Sequence, residues 1–284
     1  MSSREAKRCL RGCAIKPILA ESMQMGDENH TRQTACDYIY DRLMLPALFE
    51  LDRPKKEIMK TVRYIVDTPR FFHCYGQAAA RAALVAADGT EYSTMVTAVC
   101  GNGVEFGIKI ASLPGQWFTA PAPMMKGRYT SSEFTEKDQL PWMGDSCVVE
   151  CYGMGGFAAA ASPIVCNLRG MTLKESIGQT KEMYRITMEK NYNFPIPNLD
   201  FDFLPVGIDI RKVLKEGVCP AIHGGMFNRV GGLIARAWQE CRCSALKRRW
   251  SPLVKNICDE KERASRSAGL FQKKEVRINE RKCN

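Results

Sequence analysis

The sequence of 284 residues lacks an apolar run long enough to cross a membrane. Residues 157–168 are apolar, but Ser162 and Pro163 interrupt the run, which is well short of the ~20 residues that a spanning helix needs. The first thirteen residues, MSSREAKRCLRGC, are charged and lack the apolar core of a secretory signal. These absences predict a protein that does not span a membrane, and we expect a cytoplasmic location.

The spacing of a zinc site is also missing. The thirteen cysteines are scattered, and neither Cys147-x-x-x-Cys151 nor Cys241-x-Cys243 has the two-residue spacing of a zinc knuckle. We therefore predict no metal site, and free thiols in a reducing compartment.

A dinucleotide fingerprint is absent as well. The run Gly101-Asn102-Gly103 has Phe106 where G-x-G-x-x-G requires a glycine, so we predict no nucleotide cofactor and no cofactor of another kind. Glycines permit close backbone approach, and Asn102 offers both a donor and an acceptor. Two roles therefore remain possible for Asn102 and Glu105: they either form a simple turn or contact a substrate.

Positive charge is present, but it is confined to the ends. The net charge of +10 comes from residues 1–13, with +3, and from residue 239 onward, with thirteen Lys or Arg against six Asp or Glu. Residues 14–238 are neutral, which argues against nucleic-acid binding by the folded part. The basic run 247–249 is either solvated surface or a polyanion site.

Helical spacing of apolar residues dominates the first ninety residues. It predicts helices at 15–24, 27–49, 55–66 and 71–87, with Asp27 as the cap of the second. His73, among aromatic residues, is predicted to lie in the core.

Shorter elements follow from residue 93. We predict strands at 94–99, 106–111, 146–151, 206–210 and 220–223, and helices at 156–168 and 172–191. Thr172 and Glu175 form the capping box of the last helix. The predicted fold class is α+β: a helical subdomain at 14–90, a mixed α/β layered domain at 91–238 and a disordered basic tail at 239–284.

The segment MGDENHTR carries polar groups at helical spacing. Asp27 and His30 lie three residues apart, and Glu28 and Arg32 lie four apart and can pair. The segment is either a capped helix start with a surface ion pair or a ligand site that uses His30 and Arg32.

A glycine cluster precedes the alanine-rich helix at 156–168. Gly153, Gly155 and Gly156 can point free backbone N–H groups at an anion, with the helix dipole behind them. The alternative is that glycine and alanine only allow close packing of this helix.

Two further strands carry polar residues. Asp209 and Arg211 alternate with apolar residues, so they are predicted to share one face. His223 ends the next strand beside two glycines, with Asn228 close behind. His223 is either a site residue or a structural histidine.

Six segments occur together in this order: MGDENHTR, NGVEFGI, WFTAPAP, GDSCVVECYGMGGFAAAASP, LPVGIDIRKV and PAIHGGMFNRVGG. Over residues 15–232 they resemble the C-terminal half of the YlbE-like family. That family is similar to one subunit of the multi-subunit oxamate carbamoyltransferase of anaerobic purine (allantoin) breakdown. The resemblance implies transfer of a carbamoyl group between oxalurate and phosphate, in an oligomer with FdrA-type and other carbamoyltransferase subunits. Since the family has a substantial N-terminal half, it also implies a truncated or frameshifted product.

If the chain has this activity, we hypothesise the following roles for the candidate residues. The glycine cluster, Arg211 and Arg32 would bind the anionic substrates, Asn102 would polarise the carbamoyl oxygen, and His223 or His30 would act as acid and base. The remaining substrate-binding candidates are Glu105, Asp209 and Asn228. The rival hypotheses are a binding or scaffolding subunit without chemistry of its own and an inactive gene fragment.

Overall fold

The computed structural model describes residues 14–68, 70–144, 146–240 and 259, with the backbone alone for 236–240. The predicted tail at 239–284 lies outside this part, except for Gln239 and Glu240 at the end of the last strand and Asp259. Predictions for residues 1–13, Asp145 and 247–249 also lie outside it.

Four helices open the described chain: α1 (Ile15–Gln24), α2 (Thr34–Phe49), α3 (Lys55–Val66) and α4 (His73–Val85). The predicted bounds of α1 and α3 are confirmed. The second helix begins seven residues later than predicted, with Gln33 as its N-cap residue in place of Asp27. From the preceding loop, Asp27 Oδ2 still accepts from the first-turn N–H groups of Ala35 at 2.6 Å and Cys36 at 3.3 Å. The intervening residues are thereby held as an ordered loop.

Three antiparallel sheets follow. One has the order β3 (Phe118–Pro121), β2 (Glu105–Ile110), β1 (Val96–Asn102) and β5 (Met143–Gly144). The second has the order β4 (Lys126–Tyr129), β9 (Leu233–Glu240) and β8 (Ala221–Phe227), and the third pairs β6 (Thr187–Ile196) with β7 (Asp202–Ile208). The α+β fold class is confirmed.

The remaining helices lie between these strands. They are α5 (Val148–Cys151), a 3-10 helix (Gly155–Ala161), α6 (Pro163–Leu168), α7 (Leu173–Ile186), a 3-10 turn (Pro197–Leu199) and α8 (Ile210–Glu216). The capping box of Thr172 and Glu175 is confirmed, with Glu175 N–H 3.2 Å from Thr172 Oγ1 and Thr172 N–H 2.7 Å from Glu175 Oε2.

Three predicted elements are wrong. In place of the strand predicted at 146–151, a turn at 146–147 leads into helix α5 (Val148–Cys151), because a short apolar run does not distinguish the two periods. The helix predicted at 172–191 ends at Ile186, where the chain turns into β6 to pair with β7. The strand predicted at 206–210 ends at Ile208, and Asp209 instead caps α8 by accepting from Arg211 N–H at 2.9 Å.

Two apolar cores hold these elements together. The first joins the β1–β2 and β8–β9 hairpins to α7 and α8, around Trp142 and Phe157. The second joins α1, α2 and α4 to the 3-10 helix and to β6 and β7, around Met154 and Phe194. Helices α1, α2 and α4 thus share their core with residues from 149 onward.

The thiol prediction needs one correction. Four of the described cysteines are free thiols, namely Cys36, Cys74, Cys151 and Cys166. Cys219, in contrast, is disulfide-bonded. Bonding requires a close approach of two Cα atoms, which sequence spacing alone does not reveal. None of the helices in the described ranges combines the length and apolar character of a membrane span.

Candidate active site

A cleft of about 560 Å³ opens where the two larger sheets approach the loop between α1 and α2. This volume is within the range of small-molecule sites, roughly 300–1,000 Å³. Its walls combine glycines of β1, β5 and β8 with polar side chains from the loop and from the start of α5. The lining residues are His30, Thr31, Arg70, Gly101, Trp142, Met143, Gly144, Ser146, Cys147, Gly224, Gly225, Phe227 and Leu233.

His30 lies in the wall of this cleft, hydrogen-bonded through both ring nitrogens. Nδ1 is 2.7 Å from Glu150 Oε1, and Nε2 is 2.6 Å from Ser146 Oγ. Burial disfavours the imidazolium, but the negative charge and hydrogen bond of Glu150 outweigh burial and raise the pKa of His30. His30 can therefore take up a proton at the cleft and pass it on.

Glu150 is fully buried on α5 and connects this histidine to the glycine cluster. Besides His30, its Oε1 accepts from Gly156 N–H at 3.2 Å and from His223 N–H at 2.9 Å. A Cβ at Gly155, where φ is +59°, would overlap this carboxylate. The glycines therefore make room for an internal anion, the Glu150 side chain itself.

A second histidine–carboxylate pair lies behind the first, away from the cleft. His223 Nδ1 is 3.1 Å from Glu28 Oε2 and 3.0 Å from Arg169 Nη1. The amide Nε2 of Gln179 donates to Gly156 O at 2.7 Å and lies 3.2 Å from His223 Nε2. Since that amide nitrogen only donates, His223 Nε2 must accept, and Nδ1 carries the proton that goes to Glu28.

The charges of this second pair follow from its surroundings. Burial and the Arg169 guanidinium lower the pKa of His223 to about 4, despite the opposing effect of Glu28. Burial alone would raise the pKa of Glu28, but the hydrogen bond to His223 and the positive charges around it lower it to about 2. Glu28 Oε1 also accepts from the backbone N–H groups of Thr31 and Arg32. Near neutral pH we therefore assign a neutral His223 between an ionised Glu28 and Arg169.

Two further residues that carry N–H donors, Arg70 and Trp142, line the cleft. Arg70, exposed and with a φ of +68°, donates from Nη2 to the His30 carbonyl at 3.1 Å, and this fixes its guanidinium at the cleft mouth. Trp142 Nε1 is buried without a hydrogen-bond partner among the described residues, beside Gly144 and Gly224 of the cleft wall. A guanidinium and an unpartnered N–H together fit a small anion that also carries a carbonyl oxygen.

Comparison with known proteins identifies the family of this chain. The family model described as oxamate carbamoyltransferase subunit AllG matches residues 2–146. This chain belongs to that family. The uncharacterized protein YahG of Escherichia coli K12 is 34% identical over 230 residues, which are 81% of this chain and 48% of YahG. The oxamate carbamoyltransferase subunit AllG of the same organism is 33% identical over 227 residues, 80% of this chain and 54% of that protein.

A solved structure shares the fold. A conserved protein of unknown function from Enterococcus faecalis V583 superposes with a TM-score of 0.81 at 33% identity, over 88% of this chain and 60% of that one. The chain spans about half the length of the curated relatives that it matches. The resemblance to an oxamate carbamoyltransferase subunit is thus supported, while placement in the C-terminal half of a YlbE-like family stays a prediction.

Of the residues predicted for a site in this family, His30 lines the cleft. His223 lies behind it, fully buried, and its backbone N–H donates to the same Glu150 oxygen that binds His30. Arg32 points away, with its Nε 2.9 Å from Asp27 Oδ1, and lines a separate cleft of about 320 Å³ that also contains Arg70.

The glycine cluster does not offer the free N–H groups that the sequence suggested. Gly153 N–H donates to the Glu150 carbonyl at 2.9 Å, and Gly155 N–H donates to the Glu28 carbonyl at 2.7 Å. Gly156 N–H donates to the Glu150 carboxylate. The alternative of close packing therefore describes this turn better, since a Cβ at Gly156 would overlap the carbonyl of Ala221.

Two predicted residues lie in the β1–β2 hairpin. Asn102 Oδ1 accepts from the N–H groups of Val104 at 2.9 Å and Glu105 at 2.8 Å, which is a turn-forming arrangement. Glu105 is exposed and lies within 3.4 Å of Thr119 Oγ1. Neither residue is among those that line the cleft, although the neighbouring Gly101 is.

The other candidates are dispersed. Asp209 does not share a strand face with Arg211: it caps α8 and binds the Arg211 guanidinium at 3.0 Å and Thr94 Oγ1 at 2.8 Å. Asn228 Oδ1 accepts from Val230 N–H at 3.1 Å in the turn between β8 and β9. His73, predicted to be core, is half-buried and stacks on His30 with ring centroids 6.1 Å apart.

Sequence reasoning missed several residues of the site: Ser146, Arg70, Trp142 and the buried pair Arg169 and Gln179. Glu150 was visible beside the glycine cluster, and Glu28 lies in the same segment as His30. A signal for these two was present, because buried carboxylates beside histidines are typical of sites with shifted pKa values.

Proposed function

We propose that this chain is a subunit of a carbamoyltransferase that acts on oxalurate or oxamate and on phosphate or carbamoyl phosphate, in the cytoplasmic breakdown of purines (allantoin). The observation that carries the proposal is the cleft with His30 and Arg70 in its wall, in a chain of the oxamate carbamoyltransferase subunit family. FdrA-type and other carbamoyltransferase subunits are its proposed partners.

The chemistry of the cleft suits small anionic substrates. Oxalurate and oxamate each carry a carboxylate, and Arg70 can bind a carboxylate or a phosphate through two parallel N–H groups. Trp142 Nε1 can donate to a carbonyl oxygen that becomes more negative during transfer. His30, with its pKa raised by Glu150, can donate a proton to the leaving nitrogen.

His223 has a supporting role in this proposal. Its backbone N–H binds the carboxylate oxygen that also binds His30, and its ring holds Glu28 in place. Glu28 in turn binds the N–H groups of the loop that carries His30. The buried pair therefore positions His30 against the cleft.

The test is the formation of carbamoyl phosphate from oxalurate and phosphate by the purified complex that contains this chain, followed through carbamate kinase. We expect Arg70→Ala to raise KM for one anionic substrate about 10- to 100-fold, the loss of a hydrogen bond to a charged group. The matched control is Arg185→Ala. It removes an exposed ion pair, in which Arg185 Nη2 lies 2.9 Å from Glu216 Oε2.

A wild-type complex that forms no carbamoyl phosphate would contradict the proposed function. A chain that only holds other subunits together would lose no activity in Arg70→Ala, and this outcome would support a scaffolding role instead.

A further inference from the structure

Ser146, His30 and Glu150 form a continuous line of hydrogen bonds that begins at the cleft. Ser146 Oγ is 2.6 Å from His30 Nε2, and His30 Nδ1 is 2.7 Å from Glu150 Oε1. Ser146 and His30 both line the cleft, whereas Glu150 is fully buried. A hydroxyl on a histidine that is oriented by a carboxylate is the arrangement of an activated nucleophile, its base and a positioning group.

We infer that Ser146 is a nucleophile that receives the carbamoyl group, with His30 as its base and Glu150 as the positioning residue. This inference rests on the proposed function and deepens it, because it divides the transfer into two steps through a carbamoyl ester of Ser146.

The fixed geometry supports this assignment. Glu150 Oε1 is held by three partners, His30, Gly156 N–H and His223 N–H, so its direction toward the imidazole is set by the fold. An ionised carboxylate at Nδ1 places the ring proton there and leaves Nε2 to accept the hydroxyl proton of Ser146. Both reacting side chains, Ser146 and His30, line the cleft, so the hydroxyl and its base are within reach of a bound substrate.

In the first step, Ser146 Oγ bonds to the carbamoyl carbon of oxalurate, and the hydroxyl proton moves to His30 Nε2. The bond between that carbon and the oxamate nitrogen then breaks, and the nitrogen takes the proton from His30. Oxamate leaves, and the carbamoyl ester of Ser146 remains.

In the second step, an oxygen of hydrogen phosphate bonds to the same carbon while its proton moves to His30. The bond from the carbon to Ser146 Oγ breaks, and Oγ takes the proton back from His30. Carbamoyl phosphate leaves, and both side chains return to their starting state. No oxidant, reductant or further reactant is needed.

An ester intermediate makes a distinct prediction, because oxamate can leave before phosphate enters. The experiment incubates the purified complex that contains the full chain with oxalurate and isotopically labelled oxamate in phosphate-free buffer. We expect the label to appear in oxalurate. We also expect the peptide that contains Ser146 to gain the mass of one carbamoyl group after rapid acid quenching.

The test variant is Ser146→Ala, and Ser132→Ala, on an exposed serine, is the matched control. Ser146→Ala should lose both the exchange and the formation of carbamoyl phosphate, whereas Ser132→Ala should keep both. Binding of oxalurate by Ser146→Ala, seen as a rise in Tm, shows that the variant is folded.

Two results would overturn the inference and leave the proposed function standing. One is net transfer by the wild-type complex without exchange in phosphate-free buffer, which indicates direct attack of phosphate on oxalurate. The other is normal exchange and transfer by Ser146→Ala. If the wild-type complex forms no carbamoyl phosphate at all, the proposed function is wrong and the inference fails with it.

Discussion

The two histidine–carboxylate pairs of this protein have the same chemical groups and opposite properties. His30 with Glu150 lies at the cleft wall, and the pKa of His30 is raised by its carboxylate after burial is taken into account. His223 with Glu28 is sealed behind it, and burial together with Arg169 lowers the pKa of His223 to about 4. At the second pair, burial and the positive charge of Arg169 outweigh the carboxylate, whereas at the first pair the charge and hydrogen bond of Glu150 outweigh burial.

The role of each histidine depends on the groups to which its histidine–carboxylate pair is hydrogen-bonded. The first pair continues to Ser146 and the cleft, so it can move a proton to and from a substrate. The second pair continues to Gln179 and to the N–H groups of the loop, so it holds structure in place.

We expect the largest effect from a substitution that removes His30 from the first pair. In His30→Asn the cleft loses its proton acceptor, and we expect kcat to fall by ~10²–10⁴. His223→Asn should lose less rate and more stability. Steady-state kinetics of both variants in the same complex measure this ranking, and an equal loss of kcat in both would contradict the division of roles.

We expect the next largest effect, on stability, from a substitution that removes Glu28 from the second pair. Glu28→Ala leaves the Arg169 charge without its buried carboxylate, which we expect to lower the free energy of unfolding by about 3–5 kcal/mol. Urea unfolding followed by circular dichroism measures it. The control is Glu182→Gln on the exposed face of α7, for which we expect a change within about 0.5 kcal/mol.

The pH dependence of stability distinguishes the two histidines, because their pKa values are shifted in opposite directions. Between the unfolded pKa of 6.5 and the folded value of about 4, residue 223 binds a proton in the unfolded chain and not in the native protein. Stability should therefore fall as the pH falls through this window, by up to about 3 kcal/mol for this group. His30, with its raised pKa, should act in the opposite direction, and its contribution should be lost as the pH rises above 6.5.

Urea unfolding at a series of pH values from 4 to 8 tests both signs. In His223→Asn, the free energy of unfolding should rise less between pH 4 and pH 6.5 than in the wild type. In His30→Asn, its decline above pH 6.5 should disappear. A wild-type rise that persists unchanged in His223→Asn would assign the effect to other groups.

The smallest expected effect concerns the tautomer of the buried ring. Gln179→Leu removes the donor to His223 Nε2 and to the Gly156 carbonyl, and we expect a cost of about 1–3 kcal/mol from the unsatisfied groups. Nitrogen NMR of the three histidines should show His223 protonated on Nδ1 in the wild type. A wild-type ring protonated on Nε2 would contradict the assignment.

Local patterns predicted much of the fold. Helices α1 and α3 have their predicted bounds, and the Thr172–Glu175 capping box was legible in the sequence. Such features depend on residues near in the chain. Two segments were predicted wrongly. Residues 187–191 pair with β7 instead of continuing a helix. Residues 148–151 pack beneath the cleft as a helix instead of forming a strand.

The candidate site was predicted less completely. His30 and His223 were singled out, and so was the glycine turn, but its anion proved to be Glu150 of the same chain. Ser146, Arg70 and Trp142 had no local signal, because each is ordinary in its own segment. They reach one cleft from two separate parts of the chain, Arg70 from one and Trp142 and Ser146 from the other.

The fold class, the neutral charge of residues 14–238 and the family resemblance all follow from the order and composition of the residues. Which histidine lines the cleft and which is buried behind it is known only from the three-dimensional arrangement. The physical reason is that the pKa and hydrogen-bond partners of His30 depend on Glu150, 120 residues away, and those of His223 on Glu28, 195 residues away. Helix and strand periods extend over a few residues, whereas burial and charge act through space.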